Sequence, residues 1–190
     1  EGAISYTASL PLGGNQVTND IAIGLRTPME AAERIKRHYG CTTAQMINQD
    51  ESIEVPSVGG RPPRKLSRQI LGEIIEPRLE EIFELANREL HKSGVYDQVV
   101  SGVVITGGTA LLPGTAELAE KVFELQARVG FPEAHGSGFE AVNSPVYASA
   151  IGLLKYAAQD SAPNRRVVSL KGFSGGGFLG KLKDVMKDFF

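Results

Sequence analysis

The segment Val103-Val104-Ile105-Thr106-Gly107-Gly108-Thr109-Ala110 decides the predicted fold. It completes the apolar, β-branched run from Val99 to Thr106, which predicts a buried strand of an α/β sheet, and continues into a glycine pair and a helix start. The bare backbone of Gly107 and Gly108 could approach a phosphate or a ribose at a helix N-terminus. Glycines also occur at such turns only because they tolerate positive φ, so this segment alone leaves a nucleotide site and a plain turn open.

Strands and helices alternate on both sides of this segment. Ala3 to Leu12 and Ala127 to Phe131 are predicted strands, and Leu111 to Leu125 and Pro145 to Tyr156 are predicted helices. The block from Asn15 to Val95 lies between strands of the sheet and is mostly helical, as a subdomain inserted into a parent domain would be. The predicted organisation is a core of residues 1–14 and 96–158, an inserted helical subdomain of residues 15–95, a linker of residues 159–177 and an amphipathic helix of residues 178–190.

Within the inserted block, apolar spacing predicts a helix from Asn15 to Leu25 and a second helix that Thr27 caps and Gly40 ends. Three further elements follow: a short strand from Ser52 to Val58, an extended Gly-Pro-Arg loop from Gly59 to Lys65, and a long amphipathic helix from Ser67 to His91 that Pro77 kinks or divides.

Two charged groups in this block are candidate binding residues. Glu33 and Lys36 place a carboxylate and an ammonium on one helix face, although an ordinary solvated ion pair is the alternative. A basic cluster would suit a peptide with acidic and apolar residues, because guanidinium groups grip carboxylates at two points, but a solvated face is again the alternative. The cluster consists of Arg61, Arg64, Lys65, Arg68 and Arg78.

Composition limits the classes of function. The chain has 190 residues, 42% of them hydrophobic, and a formal net charge of -2, so it offers no overall electrostatic case for nucleic acid. Cys41 has no cysteine partner, and the three histidines have no metal-ligand spacing. No set of nucleophile, base and orienting group is visible. Because the sequence opens at Glu1 with a predicted strand, we expect it to be a fragment.

The last residues form a predicted amphipathic helix behind a polar, glycine-rich linker. Its periodicity alone fits a membrane surface and a protein partner equally well, and the linker favours an anchor that reaches a membrane surface. We therefore hypothesise a membrane-surface anchor. Its apolar face comprises Phe178, Leu179, Leu182, Val185, Met186, Phe189 and Phe190.

Several stretches resemble the FtsA family of bacterial cell division proteins, within the actin, Hsp70 and sugar-kinase superfamily. Leu10 to Ala22 resembles the stretch after the second phosphate-binding hairpin of FtsA. Glu33-Arg34-Ile35-Lys36 is similar to the purine and ribose helix of the superfamily, and Val104 to Gly114 is similar to the adenosine motif of the superfamily. Gly59 to Arg64 and Ile75 to Arg78 look like FtsA rather than MreB or Hsp70. The resemblance implies the second domain of an actin-like (ribonuclease H-like) fold, from the C-terminal half of the family.

The resemblance also implies roles for single residues. Glu33 and Lys36 would contact the adenosine with Gly40 near the base, and Gly107, Gly108 and Thr109 would lie against the α-phosphate and ribose. Arg68 and Arg78 would bind the C-terminal peptide of FtsZ, and Arg64 would affect self-association. The terminal helix, Phe178 to Phe190, would target the membrane.

For the intact protein, the resemblance implies a peripheral protein on the cytoplasmic side of the inner membrane, at the division septum. It would anchor the FtsZ ring, polymerise as an actin-like filament, contact other divisome proteins and bind ATP with Mg²⁺. The phosphate hairpins and catalytic carboxylates would precede Glu1, so we expect no catalytic residue, no tight ATP binding and no ATPase activity here. The alternatives are a sugar-kinase fragment, which would need a catalytic aspartate, and an Hsp70-like ATPase, which would continue into a β domain.

Overall fold

The computed structural model describes residues 4–133 and 142–160, with side chains through residue 158. The chain divides into two units, residues 1–153 and residues 154–190. All elements described below lie in the first unit, except the last helix, which begins in the first unit and continues into the second. The predicted linker after Asp160 and the predicted terminal helix therefore lie outside the described residues.

The described residues form five α-helices and four β-strands. The helices are α1 (Gly14–Leu25), α2 (Met29–Tyr39), α3 (Gln69–Lys92), α4 (Thr115–Phe123) and α5 (Ala148–Asp160). The strands are β1 (Ser52–Val55), β2 (Arg64–Ser67), β3 (Val103–Ile105) and β4 (Ala127–Val129). Short 3₁₀ turns at Gly108–Leu111 and Pro145–Tyr147 precede α4 and α5.

The helix α1 forms where its apolar spacing predicts it, and its first turn is closed by Gln16. The Gly13 N–H donates to the Gln16 side chain at 2.8 Å, and the Gln16 N–H donates to the Gly13 carbonyl at 3.1 Å. The start of α2 differs from the prediction: Pro28 occupies the capping position, and the hydroxyl of Thr27 is buried without a hydrogen-bond partner among the described residues. The prediction that Thr27 caps α2 is therefore wrong, because Thr27 lies one residue too early.

The strands β1 and β2 form an antiparallel hairpin that sequence reasoning predicted only in part. Ser52 pairs with Ser67 and Val55 pairs with Arg64. The turn between the strands contains Gly59 and Gly60, both at positive φ, which lets the chain reverse. The predicted loop and helix start covered β2, since this strand is mostly exposed and has no apolar alternation to mark it.

The long helix α3 is continuous from Gln69 to Lys92 with Pro77 inside it, so the alternative of two abutting helices is wrong. A proline removes one backbone donor, but the apolar stripe is buried on both sides of it. Leu71 and Ile75 precede Pro77 in that stripe, and Leu79 follows it.

The second sheet is smaller than predicted. β3 pairs with β4 in parallel, with Val103 opposite Ala127 and Ile105 opposite Val129. The predicted buried strand shortens to three half-buried or exposed residues, because β4 is the only described strand beside it. The segment from Ile4 to Leu12 forms no strand, since no described strand lies beside it to complete a hydrogen-bonded ladder.

One cluster of buried apolar side chains includes residues of the predicted core and residues of the predicted inserted subdomain. It joins α1, α2, β1, α3 and α4, so the junction between the helical block and the glycine turn is packed. The subdomain limits at residues 15 and 95 stay a prediction. The fully or largely buried members are Val17, Ile21, Leu25, Ala32, Ile35, Ile53, Val55, Leu71, Ile75, Leu79, Phe83, Leu112, Leu118, Ala119 and Phe123.

Candidate functional site

A cleft with a volume of about 1010 Å³ lies where the N-terminus of α1, the C-terminal half of α2 and the turn before α4 meet. One wall is the segment from Leu10 to Gln16, which leads into α1. A second wall is the polar face of α2, and a third is the turn from Gly108 to Pro113. Arg68, at the start of α3, closes one side.

Lys36 ties the first two walls together. Its ammonium nitrogen donates to the Gly14 carbonyl at 3.0 Å and to the Thr18 hydroxyl at 2.8 Å, and it lies 2.6 Å from a carboxylate oxygen of Glu33. The side chain is 8% exposed. Since an ammonium has three protons, these three acceptors satisfy it inside the protein. Lys36 is thus fixed in place by its own surroundings.

Glu33 completes the same network from the more exposed side. The Thr18 hydroxyl donates to it at 2.5 Å. Burial opposes ionisation of this carboxyl, but the hydrogen bonds from Lys36 and Thr18 and the charges of Lys36 and Arg37 together lower its pKa below the ordinary value of 4.5. The carboxylate is therefore ionised at neutral pH and accepts hydrogen bonds.

The glycines in and near the cleft differ in their backbone conformation and in the space that surrounds them. A Cβ built on Gly14 would lie 2.2 Å from the Thr109 hydroxyl oxygen, so α1 and the turn before α4 approach too closely for any other residue without movement. Gly107 has a φ of 97°, and its N–H donates to the Pro145 carbonyl at 3.1 Å. At Gly108 the nearest atom to an added Cβ is Val146 Cγ2 at 3.9 Å, an ordinary van der Waals distance, so an added Cβ fits here without a clash.

The structure brings together most of the residues predicted to bind a nucleotide. Glu33, Lys36 and Gly40 from α2 and its end line the same cleft as Gly108 and Thr109. Gly107 does not line the cleft and shapes the turn behind it. The predicted roles of these residues stay predictions.

The predicted peptide-binding arginines lie in different surroundings. Arg68 donates from Nε to the Tyr39 carbonyl at 2.8 Å and from Nη1 to Glu51 at 2.5 Å, and it lowers the pKa of Glu51, while burial opposes that shift. Arg78 instead pairs with Asp20 and Glu81. The two arginines share no described partner, and only Arg68 lines the cleft.

The side chain of Arg78 is held between two carboxylates. The hydrogen bond and charge of Asp20, with those of Glu81, raise the pKa of Arg78 although burial opposes the shift. Arg64, predicted to affect self-association, donates to the Leu25 carbonyl at the end of α1. It therefore fastens the hairpin to α1.

Sequence reasoning missed Gly14 and Thr18 as parts of the site. They are one helical turn apart, and the Thr18 hydroxyl lies 3.0 Å from the Gly14 carbonyl. Their spacing could have placed both on one face of α1, but only the folded chain shows that this face meets Lys36.

Within residues 4–133 and 142–160, no group of three or more histidine, cysteine or acidic side chains could hold a metal ion. No helix in the same part of the chain has the length and apolar character needed to cross a bilayer. The predicted membrane-binding residues, Phe178 to Phe190, fall outside the described residues.

Known proteins resemble both the sequence and the fold. FtsA of Pseudomonas aeruginosa is 48% identical over 159 residues, which cover 84% of this chain and 38% of that protein. FtsA of Escherichia coli K12 is 44% identical over 162 residues, covering 82% and 39%, and FtsA of Neisseria meningitidis is 40% identical over 195 residues, covering 100% and 47%. The chain thus spans less than half the length of these relatives.

Among solved structures, MreB5 of Spiroplasma citri bound to ADP superposes with a TM-score of 0.55 at 15% identity, covering 80% of this chain and 46% of that one. The same protein bound to AMPPNP gives a TM-score of 0.57 at 15% identity with the same coverage. These likenesses concern the fold and support an α/β, actin-like architecture. Because the family model described as "Cell division protein FtsA" matches residues 1–152, the chain belongs to the FtsA family of cell division proteins.

Proposed function

We propose that this chain forms the adenosine side of an ATP-binding cleft in a protein that anchors the FtsZ ring to the cytoplasmic membrane and polymerises as an actin-like filament. The observation that carries the proposal is the convergence of Glu33 and Lys36 with Gly108 and Thr109 on one cleft. These residues come from segments far apart in the sequence, and only packing of α1 against α2 and the turn brings them together.

The cleft fits a nucleotide in size and polarity. Its volume of about 1010 Å³ is at the upper end of the range of ligand pockets. The N-terminus of α1 lines it, and helix N-termini favour phosphate groups through their free N–H groups and dipole. The backbone at Gly108 has room for a close ligand approach.

The described residues support binding rather than chemistry. They contain no group of three metal-ligating side chains, so none of them is assigned as a ligand of the Mg²⁺ that would accompany ATP. We assign no catalytic residue to this chain and propose that the intact protein hydrolyses ATP weakly at most.

The anchoring part of the proposal rests on family membership and on Arg78. The guanidinium of Arg78 pairs with two carboxylates, Asp20 and Glu81, so an acidic FtsZ peptide would bind it in competition with them. Self-association would involve Arg64, and the tail from Phe178 to Phe190, tethered by the linker, would bind the inner face of the membrane at the septum beside other divisome proteins.

Nucleotide binding is tested by titrating the 190-residue chain with adenosine, ADP and ATP at millimolar concentrations and following backbone NMR shifts. Shifts should concentrate at the cleft, and Gly108→Ala should weaken binding without loss of stability, because the new methyl group lines the cleft and meets only Val146 Cγ2, at a van der Waals distance of 3.9 Å. Gly152→Ala, whose methyl group meets no atom within 4 Å and lies in α5 outside the cleft lining, is the control. Saturating nucleotide without cleft shifts in the wild type would contradict the proposed site.

Anchoring is tested by co-sedimentation with anionic vesicles and a labelled FtsZ C-terminal peptide. The chain should carry the peptide to the vesicles, removal of residues 178–190 should abolish sedimentation, and Arg78→Glu should abolish only peptide capture. Arg128→Glu, at an exposed position of β4 outside the basic cluster, serves as the control for a charge reversal. Peptide capture that survives Arg78→Glu would refute the assignment of Arg78.

A further inference from the structure

Arg68 is a cleft residue whose role the family resemblance placed elsewhere. It follows β2 and immediately precedes α3, and its side chain is 24% exposed. The bonds to the Tyr39 carbonyl and to Glu51 hold its guanidinium at the cleft wall, next to the C-terminal end of α2.

Arg68 differs from Lys36 in how many donors it has left. A guanidinium carries five N–H groups, and the described contacts of Arg68 use one at Nε and one at Nη1. Within the described part of the chain, Nη2 donates to no acceptor. Lys36 instead gives its three protons to protein acceptors. Among these two half-buried or buried cations, Arg68 is the one with hydrogen bonds to offer a ligand.

The two ends of the cleft have opposite helix polarity. The N-terminus of α1, at Gly13 to Asn15, carries partial positive charge, and the C-terminus of α2, at His38 to Gly40, carries partial negative charge. Phosphates are therefore favoured at the α1 end. The neutral base of a nucleotide is left for the α2 end, where Arg68 bonds to Tyr39.

We propose that Arg68 donates a hydrogen bond to a ring nitrogen of the nucleotide base, and that it belongs to the nucleotide cleft rather than to a peptide-binding face. This inference rests on the proposed nucleotide function. Glu51 and the Tyr39 carbonyl orient the guanidinium, so that the bond forms without further ordering of the side chain.

The test compares adenosine, AMP and ATP binding to the 190-residue chain and to Arg68→Ala by NMR titration. A contact to the base should weaken all three ligands by the same factor, roughly 3- to 10-fold for one neutral acceptor. A contact to phosphate would leave adenosine unaffected and weaken ATP most, and that pattern overturns the proposal. Equal affinity of wild type and Arg68→Ala for all three ligands overturns it as well.

Three further variants separate ligand contact from a structural role. Glu51→Gln removes the ion pair but keeps a side-chain oxygen that can accept from Nη1, so Arg68 stays oriented and adenosine binding should be retained. A loss of binding equal to that of Arg68→Ala, with an equal loss of stability in urea unfolding of both variants, would show that Arg68 only supports the fold. Arg68→Lys keeps the charge without the planar fork and should bind adenosine as weakly as Arg68→Ala. Arg128→Ala, at an exposed position of β4 outside the cleft, should bind like the wild type.

The proposed function and this inference fail in different ways. If the wild type gives no cleft shifts, the nucleotide function fails and the inference falls with it. If Gly108→Ala weakens binding and Arg68→Ala does not, the nucleotide site stands and only the role of Arg68 is refuted.

Discussion

Substitution of Lys36 by Met tests the network that joins α1 to α2. Methionine has nearly the length of lysine and fills irregular space, so the change removes the ammonium without opening a large cavity. The Gly14 carbonyl and the Thr18 hydroxyl lose their donor, and Glu33 loses its closest cation.

The expected cost follows from the exposure of each partner. Loss of a hydrogen bond from a charged donor costs about 1.5–3 kcal/mol. The Gly14 carbonyl loses such a bond and keeps the Thr18 hydroxyl 3.0 Å away, while Thr18 keeps its bond to Glu33, so the lost bond from Lys36 to Gly14 dominates. The Glu33 side chain is 41% exposed, so solvent screening holds its share of the ion pair below about 1 kcal/mol. Together these losses predict a destabilisation of about 2 kcal/mol at neutral pH.

The assay is urea unfolding of the 190-residue chain as a function of pH, with Lys65→Met as the exposed control. Because Lys36 lowers the pKa of Glu33, this stabilisation is present above the ordinary value of 4.5 and declines as acid protonates the folded carboxyl. The difference between wild type and Lys36→Met should therefore shrink below that pH. A loss for Lys36→Met no larger than that for Lys65→Met, within about 0.5 kcal/mol, would refute the network.

Three further substitutions test the packing of two glycines and the ion pair of Arg78. Gly72→Ala should destabilise the fold by about 2 kcal/mol or more, because its Cβ would lie 2.3 Å from the backbone nitrogen of Ala44. Gly152→Ala should stabilise the fold by about 0.5–1 kcal/mol, because alanine is favoured over glycine within a helix and the methyl group meets no atom. A rise in the thermal unfolding temperature of both variants would contradict this packing. Asp20→Asn should tighten FtsZ-peptide binding several-fold, measured by fluorescence anisotropy, because it frees Arg78 from one competing carboxylate; an unchanged or weaker affinity would show that Asp20 does not compete.

Sequence periodicity predicted the elements whose stability is set locally. Val17, Ile21 and Leu25 lie on one face of α1 at four-residue spacing, and all three are buried as that spacing requires. The same reasoning found the stripe of α3, since the apolar positions before and after Pro77 keep helical spacing. Such helices can be predicted from the sequence because the spacing of their apolar residues matches the face that each helix buries.

Strands were harder to predict because their pairing is not local. The segment from Ile4 to Leu12 has strand-like composition, yet it has no described strand beside it and remains irregular. β2 has the opposite character: exposed, charged Arg64 and Lys65 form a strand because the glycine turn brings them opposite Val55 and Glu54. The presence or absence of a partner decided both cases.

Most residues of the cleft could be predicted from the sequence, but it could not be predicted which of them bond to the protein and which have hydrogen-bond donors left for a ligand. A lysine on the polar face of a helix could bind a ligand or a neighbouring helix, and the sequence contains nothing that distinguishes the two. In the folded chain Gly14 and Thr18 accept hydrogen bonds from Lys36, so its ammonium group joins α2 to α1. Hydrogen bonds to a ligand must then come from groups with donors left, and Arg68 is placed and oriented to supply them.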